Sequence, residues 1–136
     1  MALDKINFEW ANNFQGIMQS PSGHVHIGSN DGEMRPYHLL FGALGSCFYH
    51  TFLSIVEKKR LSFGGARMEI SGTKREEVPT TLEHVLIRMT IINPSNEEQF
   101  LKSAQLGAKY CSIHETISKV ATIDLEISFE YYEQRY

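Results

Sequence analysis

The sequence predicts an α+β domain in the element order βββ-α-ββ-α-α-β, and three features predict it. Polar and apolar residues alternate strictly in several stretches, the period-2 mark of a half-buried strand. Residues 39–56 instead space their apolar side chains three and four apart, which is the helical period. Finally, Pro94-Ser95-Asn96-Glu97-Glu98 has the composition of a helix start, with acids in the first turn.

Taken in order, Lys5 to Trp10 alternates as a first strand, and Asn12-Asn13 turns the chain. Phe14 to Met18 returns, Pro21-Ser22-Gly23 turns again, and His24 to Ile27 is a short third strand. Asn30-Asp31-Gly32 breaks the chain ahead of a long helix whose first turn suits Pro36, because proline lacks an N–H that is unpaired there anyway. Its apolar positions are 40, 43, 44, 47, 48, 51, 52, 55 and 56, and Leu39 to Phe48 carries no charge, so that half should be buried nearly all round. Gly42 and Gly45 cost about 1 kcal/mol each against alanine, a cost that points to another backbone close by. Lys58, Lys59 and Arg60 complement the C-terminal dipole. Strands follow at Arg67 to Thr73 and Leu82 to Ile92. The next helix should bury Phe100, Leu101, Ala104 and Ala108, and Ser112 with Glu115 forms a capping box for a short third helix. Ile123 to Tyr131 is the last strand. The apolar girdle of the long helix exceeds what one thin sheet can cover, which predicts a dimer packed along it.

At 136 residues, the chain is expected to form one domain, 1–136, burying roughly two-thirds of its unfolded surface. A net charge of −3 with scattered basic residues argues against nucleic acid as partner. No uninterrupted apolar run approaches the ~20 residues that span a bilayer, and the first ten residues lack the apolar centre of a secretory signal. No membrane association and a cytoplasmic location are the expectations. Two cysteines in a reducing compartment are then free thiols or a redox pair rather than a staple.

Those cysteines are the main candidates for chemistry. Cys47 lies in the long helix, where the plainer reading is a small buried hydrophobe. Cys111 lies at a junction between helices, where free N–H groups favour thiolate, although it too reads as a core residue. Each begins a Cys-x-x-His pattern, Cys47 with His50 and Cys111 with His114. Residues three apart share a helix face, so the pairs could make a zinc site or lower a thiol pKa. The chain has core enough without metal, so no metal is expected. His24 and His26 share a strand face, where two histidines alone rarely hold a metal. No phosphate loop, nucleophile elbow or paired-carboxylate motif appears.

Two segments together resemble the OsmC/Ohr family of organic-hydroperoxide reductases: Pro36-Tyr37-His38-Leu39-Leu40-Phe41-Gly42-Ala43-Leu44-Gly45-Ser46-Cys47 and Lys109-Tyr110-Cys111-Ser112-Ile113-His114-Glu115-Thr116-Ile117-Ser118. Length, element order and cysteine spacing agree with it across nearly the whole chain. The resemblance implies an intertwined homodimer, with the long helices in the middle and the sheets wrapped around them, and no cofactor. It also implies that Cys47 attacks a small hydrophobic hydroperoxide and that Cys111 resolves the sulfenic acid to a disulfide, which an external dithiol reduces. Family peroxidases hold the thiolate with an Arg from the N-terminal sheet and a Glu at the start of the long helix. Here residues 1–34 contain no arginine, and the positions nine and ten before Cys47 are His38 and Tyr37. Arg35, His38, His50, His114 and Glu115 are the candidates to support the thiolate instead. The alternative is an OsmC-like dimer without peroxidase activity that binds a small apolar or thiol ligand at its interface.

Overall fold

The computed structural model describes residues 1–133. Among them, six strands and three helices follow one another in the predicted order: β1 (Asn7–Trp10), β2 (Gln15–Gln19), β3 (His24–Gly28), α1 (Pro36–Lys58), β4 (Gly65–Lys74), β5 (Leu82–Ile92), α2 (Glu97–Tyr110), α3 (Ser112–Ser118) and β6 (Thr122–Glu130). The fold is mixed α+β, with two three-stranded sheets. The chain divides into two compact units, residues 1–42 and residues 43 onward, with the boundary inside α1.

The first unit is an antiparallel meander, β1-β2-β3. Its register puts Phe8 opposite Met18 and Met18 opposite Val25, with Trp10 opposite Gly16 and Gly16 opposite Ile27. One face is therefore apolar. The Trp10 ring lies across Gly16, where a Cβ would come within 2.4 Å of it, so this glycine is required by close approach. Phe8 and Phe14 stack on Trp10 at 5.9 and 5.7 Å between ring centres. Phe8 and Trp10 nevertheless stay 49% and 48% exposed. The first turn of α1 starts at Pro36, and the Arg35 N–H donates to His38 Nδ1 at 3.0 Å. The imidazole fills the place a Glu or Gln takes in a capping box.

In the second unit β5 is the central strand, antiparallel to β4 and parallel to β6. A parallel pair needs a long crossover, which α2 and α3 supply. Alternation along β5 sends Val85, Ile87, Met89 and Ile91 into the core, each at most 1% exposed. Leu44, Phe48, Phe52 and Val56, four apart on α1, are buried in the same core, as are Phe100, Ser103, Ala104 and Gly107 on α2. Phe52, Phe63 and Phe100 meet at 5.5 to 6.0 Å. Each buried aromatic contributes about 1.5–3 kcal/mol from burial alone. The opposite sheet face is a solvated ladder: Arg67–Glu130 at 2.5 Å, Arg88–Glu126 at 2.9 Å and His84–Asp124 at 2.6 Å. The start of α2 is capped as its composition predicts, with the Asn96 side chain accepting the Gln99 N–H at 3.1 Å.

Several expectations need correction. Within one chain Leu39 to Phe48 is not buried all round; only Leu44 and Phe48 are, and Leu40 is half-buried. A Cβ at Gly45 would meet side-chain tips, Ile70 Cδ1 at 3.1 Å and Met68 Sδ at 3.4 Å, while Gly42 faces open space. The approach expected of a second copy at Gly42 and Gly45 is a separate matter; within the chain a close backbone approach is found at Gly107, where a Cβ would lie 3.2 Å from Phe52 Cα. That small residue, in line with Ser103 and Ala104, lets α2 settle against α1. Leu101 points outward, 39% exposed. By length and composition α1 is apolar enough to cross a bilayer, a threshold no segment was expected to reach; its Leu44-Phe48-Phe52-Val56 stripe is core packing.

Candidate functional site

Cys47 lies in the third turn of α1, half-buried, and Cys111 is the single residue between α2 and α3, fully buried. Both are free thiols. The fold closes the 64-position separation between them, because α2 runs back along α1 through the Gly107–Phe52 contact and ends at Cys111.

The chain leaves helical geometry at Cys111, with φ −75° and ψ 117°. Its sulfur then accepts the His114 N–H at 3.4 Å. Cys111 is thus itself the N-cap of α3, the role expected of Ser112. Moving the cap back by one residue makes Ser112 the first residue of the helix. Its hydroxyl turns to Cys47, with 4.0 Å between Oγ and Sγ. Cys47 therefore looks onto the opening turn of α3 and the Cys111 thiol together.

The electrostatics of the two sulfurs differ in sign. Partial burial pushes the Cys47 thiol up, but the Cys111 thiol, the Ile113 N–H, and the hydroxyl and N–H of Ser112 stabilise its thiolate, and the net shift is downward. Burial pushes the Cys111 thiol up, and so do its hydrogen bond to Cys47 and the Cys47 charge; the N–H groups of His114 and Ile113 oppose them without prevailing. Of the two, Cys47 is the thiol shifted toward the thiolate and Cys111 the one shifted away from it.

The supporting candidates fall in different places. His114 is half-buried, and burial holds its imidazole below the ordinary range against the opposing charge of Glu115. The Glu115 carboxylate is taken by Lys119 at 2.8 Å on the outside of α3. His50 is exposed on α1. Arg35 and His38 belong to the first unit, paired with each other at the start of α1. Among the described residues no three His, Cys, Asp or Glu side chains gather closely enough to hold a metal ion. Ser112 and the Ile113 N–H are the site groups that sequence reasoning passed over. The available signal was a cysteine immediately ahead of a helix start, which turns the next residue's N–H toward whatever faces that end.

A protein-family model described as "OsmC-like protein" matches residues 28–126. Protein YhfA of Escherichia coli K12 is 23% identical over 120 residues, covering 85% of this chain and 90% of YhfA. Among solved structures, a protein of Aquifex aeolicus VF5 superposes with a TM-score of 0.87 at 20% identity, over 98% of this chain and 100% of the other. The organic hydroperoxide resistance protein OsmC of Legionella pneumophila superposes at 0.73 and 13% identity, over 94% and 98%. At these identities the structural likeness establishes a shared fold.

Proposed function

The chain belongs to the OsmC-like protein family, and from that membership we propose that it reduces small organic hydroperoxides through the Cys47/Cys111 thiol pair. The Legionella relative's name supports a peroxide-related role. The observation that carries the proposal is the position of Cys47 against the opening turn of α3, its sulfur 4.0 Å from the hydroxyl of Ser112, the residue next to Cys111. The Cys47 thiolate attacks the terminal oxygen of the hydroperoxide. An S–O bond forms, the O–O bond breaks, and the alkoxide leaves as alcohol after taking a proton. Cys111 then attacks the sulfenic sulfur and water departs, closing a disulfide. An external dithiol returns both thiols and is itself oxidised. Cytoplasmic residence, where thiols stay reduced, fits this cycle.

The working unit of this proposal is a homodimer. Half-exposed apolar residues along the first turns of α1 and the open aromatic face of β1 are surfaces a second copy would cover.

In the test, an organic hydroperoxide such as cumene hydroperoxide is added to the reduced protein. Both thiols should be consumed and an intramolecular Cys47–Cys111 disulfide should appear. Cys47→Ser should not react. Cys111→Ser, which keeps a good capping side chain, should stop at a sulfenic acid that dimedone captures. Wild-type protein that retains both thiols after long exposure at about pH 8–9, where more thiolate is present, overturns the proposal. The arginine-free first 34 residues favour a second reading for that outcome: a dimer that binds a small apolar or thiol ligand without peroxidase chemistry.

A further inference from the structure

We propose that Ser112 is a thiolate-holding residue of this site, its hydroxyl acting as a neutral hydrogen-bond donor to the Cys47 sulfur in place of a cation. The inference rests on Cys47 being the reactive thiol.

Three observations support it. First, Ser112 Oγ lies 4.0 Å from Cys47 Sγ, a distance at the outer limit for a hydroxyl and a sulfur. A thiol can give or accept in that contact, but a thiolate can only accept, so ionisation fixes the serine as donor. Charge-assisted bonds are also shorter than neutral ones, so the contact tightens as the charge forms. Second, the neighbouring hydroxyls are committed elsewhere. Thr51 donates to the Cys47 carbonyl at 3.0 Å and Thr116 to the Ser112 carbonyl at 2.8 Å. The Thr116 bond spans one turn of α3 and holds Ser112 in its place. Third, the other side-chain donor to Cys47 is the Cys111 thiol, whose sulfur is taken up when the disulfide closes. Ser112 stays chemically unchanged through the cycle, whereas Cys111 must leave its donor role to become the attacking sulfur.

The position also permits a clean dissection. Ser112 is the first residue of α3, a place where proline is tolerated. Ser112→Ala removes the hydroxyl alone, Ser112→Pro removes the hydroxyl and the N–H, and Ser112→Thr restores the hydroxyl.

The experiment alkylates reduced protein with iodoacetamide across a pH series and resolves Cys47 from Cys111 by peptide mass. Ser112→Ala should move the Cys47 profile to higher pH and slow its labelling near neutrality roughly ten- to a hundredfold, the loss expected for one hydrogen bond to a charged group. Ser112→Pro should slow it further, and Ser112→Thr should return it to the wild-type profile. A wild-type profile in Ser112→Ala, or a threonine variant no better than alanine, overturns the inference. The alanine–threonine comparison decides the matter even if the proline variant fails to fold. Hydroperoxide-driven disulfide formation by the wild type is scored separately. A shifted alkylation profile with no disulfide would defeat the peroxidase proposal and leave the thiolate contact standing.

Discussion

Gly45 and Gly107 are both helical glycines, and replacing each by alanine separates two effects that sequence alone confounds. In both, alanine gains about 1 kcal/mol of helix propensity, so that contribution cancels between the variants. What remains is the space the new methyl enters. At Gly45 it meets the tips of Ile70 and Met68 at 3.1 and 3.4 Å, flexible ends that can rotate away. At Gly107 it meets Phe52 Cα and Cβ at 3.2 Å and Phe52 N at 3.3 Å, which is helix backbone and cannot yield without moving α1. Overpacking of that kind costs about 1–3 kcal/mol. Gly45→Ala should therefore be neutral or more stable than wild type by up to ~1 kcal/mol. Gly107→Ala should be less stable than wild type by about 1 kcal/mol, placing the two variants about 1–2 kcal/mol apart. Urea melts followed by far-UV circular dichroism, at one fixed protein concentration, measure both. A Gly107→Ala protein as stable as Gly45→Ala would show that α2 does not need the glycine to approach α1.

Light scattering at micromolar concentration should give twice the chain mass; a stable, well-folded monomer would remove the dimer proposal. Purified protein should hold no stoichiometric zinc, and a chelator should leave its melting temperature unchanged. One equivalent of metal per chain, lost on His50→Ala or His114→Ala, would restore the zinc reading. In site-resolved alkylation of the wild type, Cys47 should label at lower pH than Cys111, because its pKa is lowered and that of Cys111 is raised. In Cys47→Ser the Cys111 profile should shift to lower pH, since the charge and hydrogen-bonding sulfur that raise it are gone while burial remains. Cys111 labelling first in the wild type would reverse the assigned roles.

The elements were legible because each carries its own local signal. Alternation marked β5 and β6, the three-and-four spacing marked α1, and Asn96 with two following acids marked the start of α2. Tertiary neighbours were not legible in the same way. Gly107 is one small residue among several in α2, and only the structure shows Phe52 against it. The cap of α3 was misplaced by one residue because cysteine is not a usual capping side chain, whereas Ser112 with Glu115 fits the familiar pattern. That Cys47 and Cys111 meet followed from no periodicity, since they lie 64 positions apart; only the family resemblance suggested it.

As proposed, the site holds negative charge with neutral groups, and this has a thermodynamic consequence. A cation beside a half-buried thiolate strengthens it through a Coulomb term that rises steeply in low dielectric, but the cation must itself be desolvated. Backbone N–H groups at the start of a helix, a hydroxyl and a second thiol carry no such penalty, and in the thiol state they still have local partners or water. Each contributes a few kcal/mol at most to holding a charge, and burial of Cys47 works against them. The donors outweigh burial, and the balance lowers the Cys47 thiol. Its nucleophile is the thiolate, so its reactivity rises with pH up to the thiol pKa. In the proposed cycle Cys47 both attacks and then accepts attack from Cys111, and donors without a fixed counter-charge fit that sequence: the sulfenic acid is neutral, and no cation is left without its partner when the charge disappears.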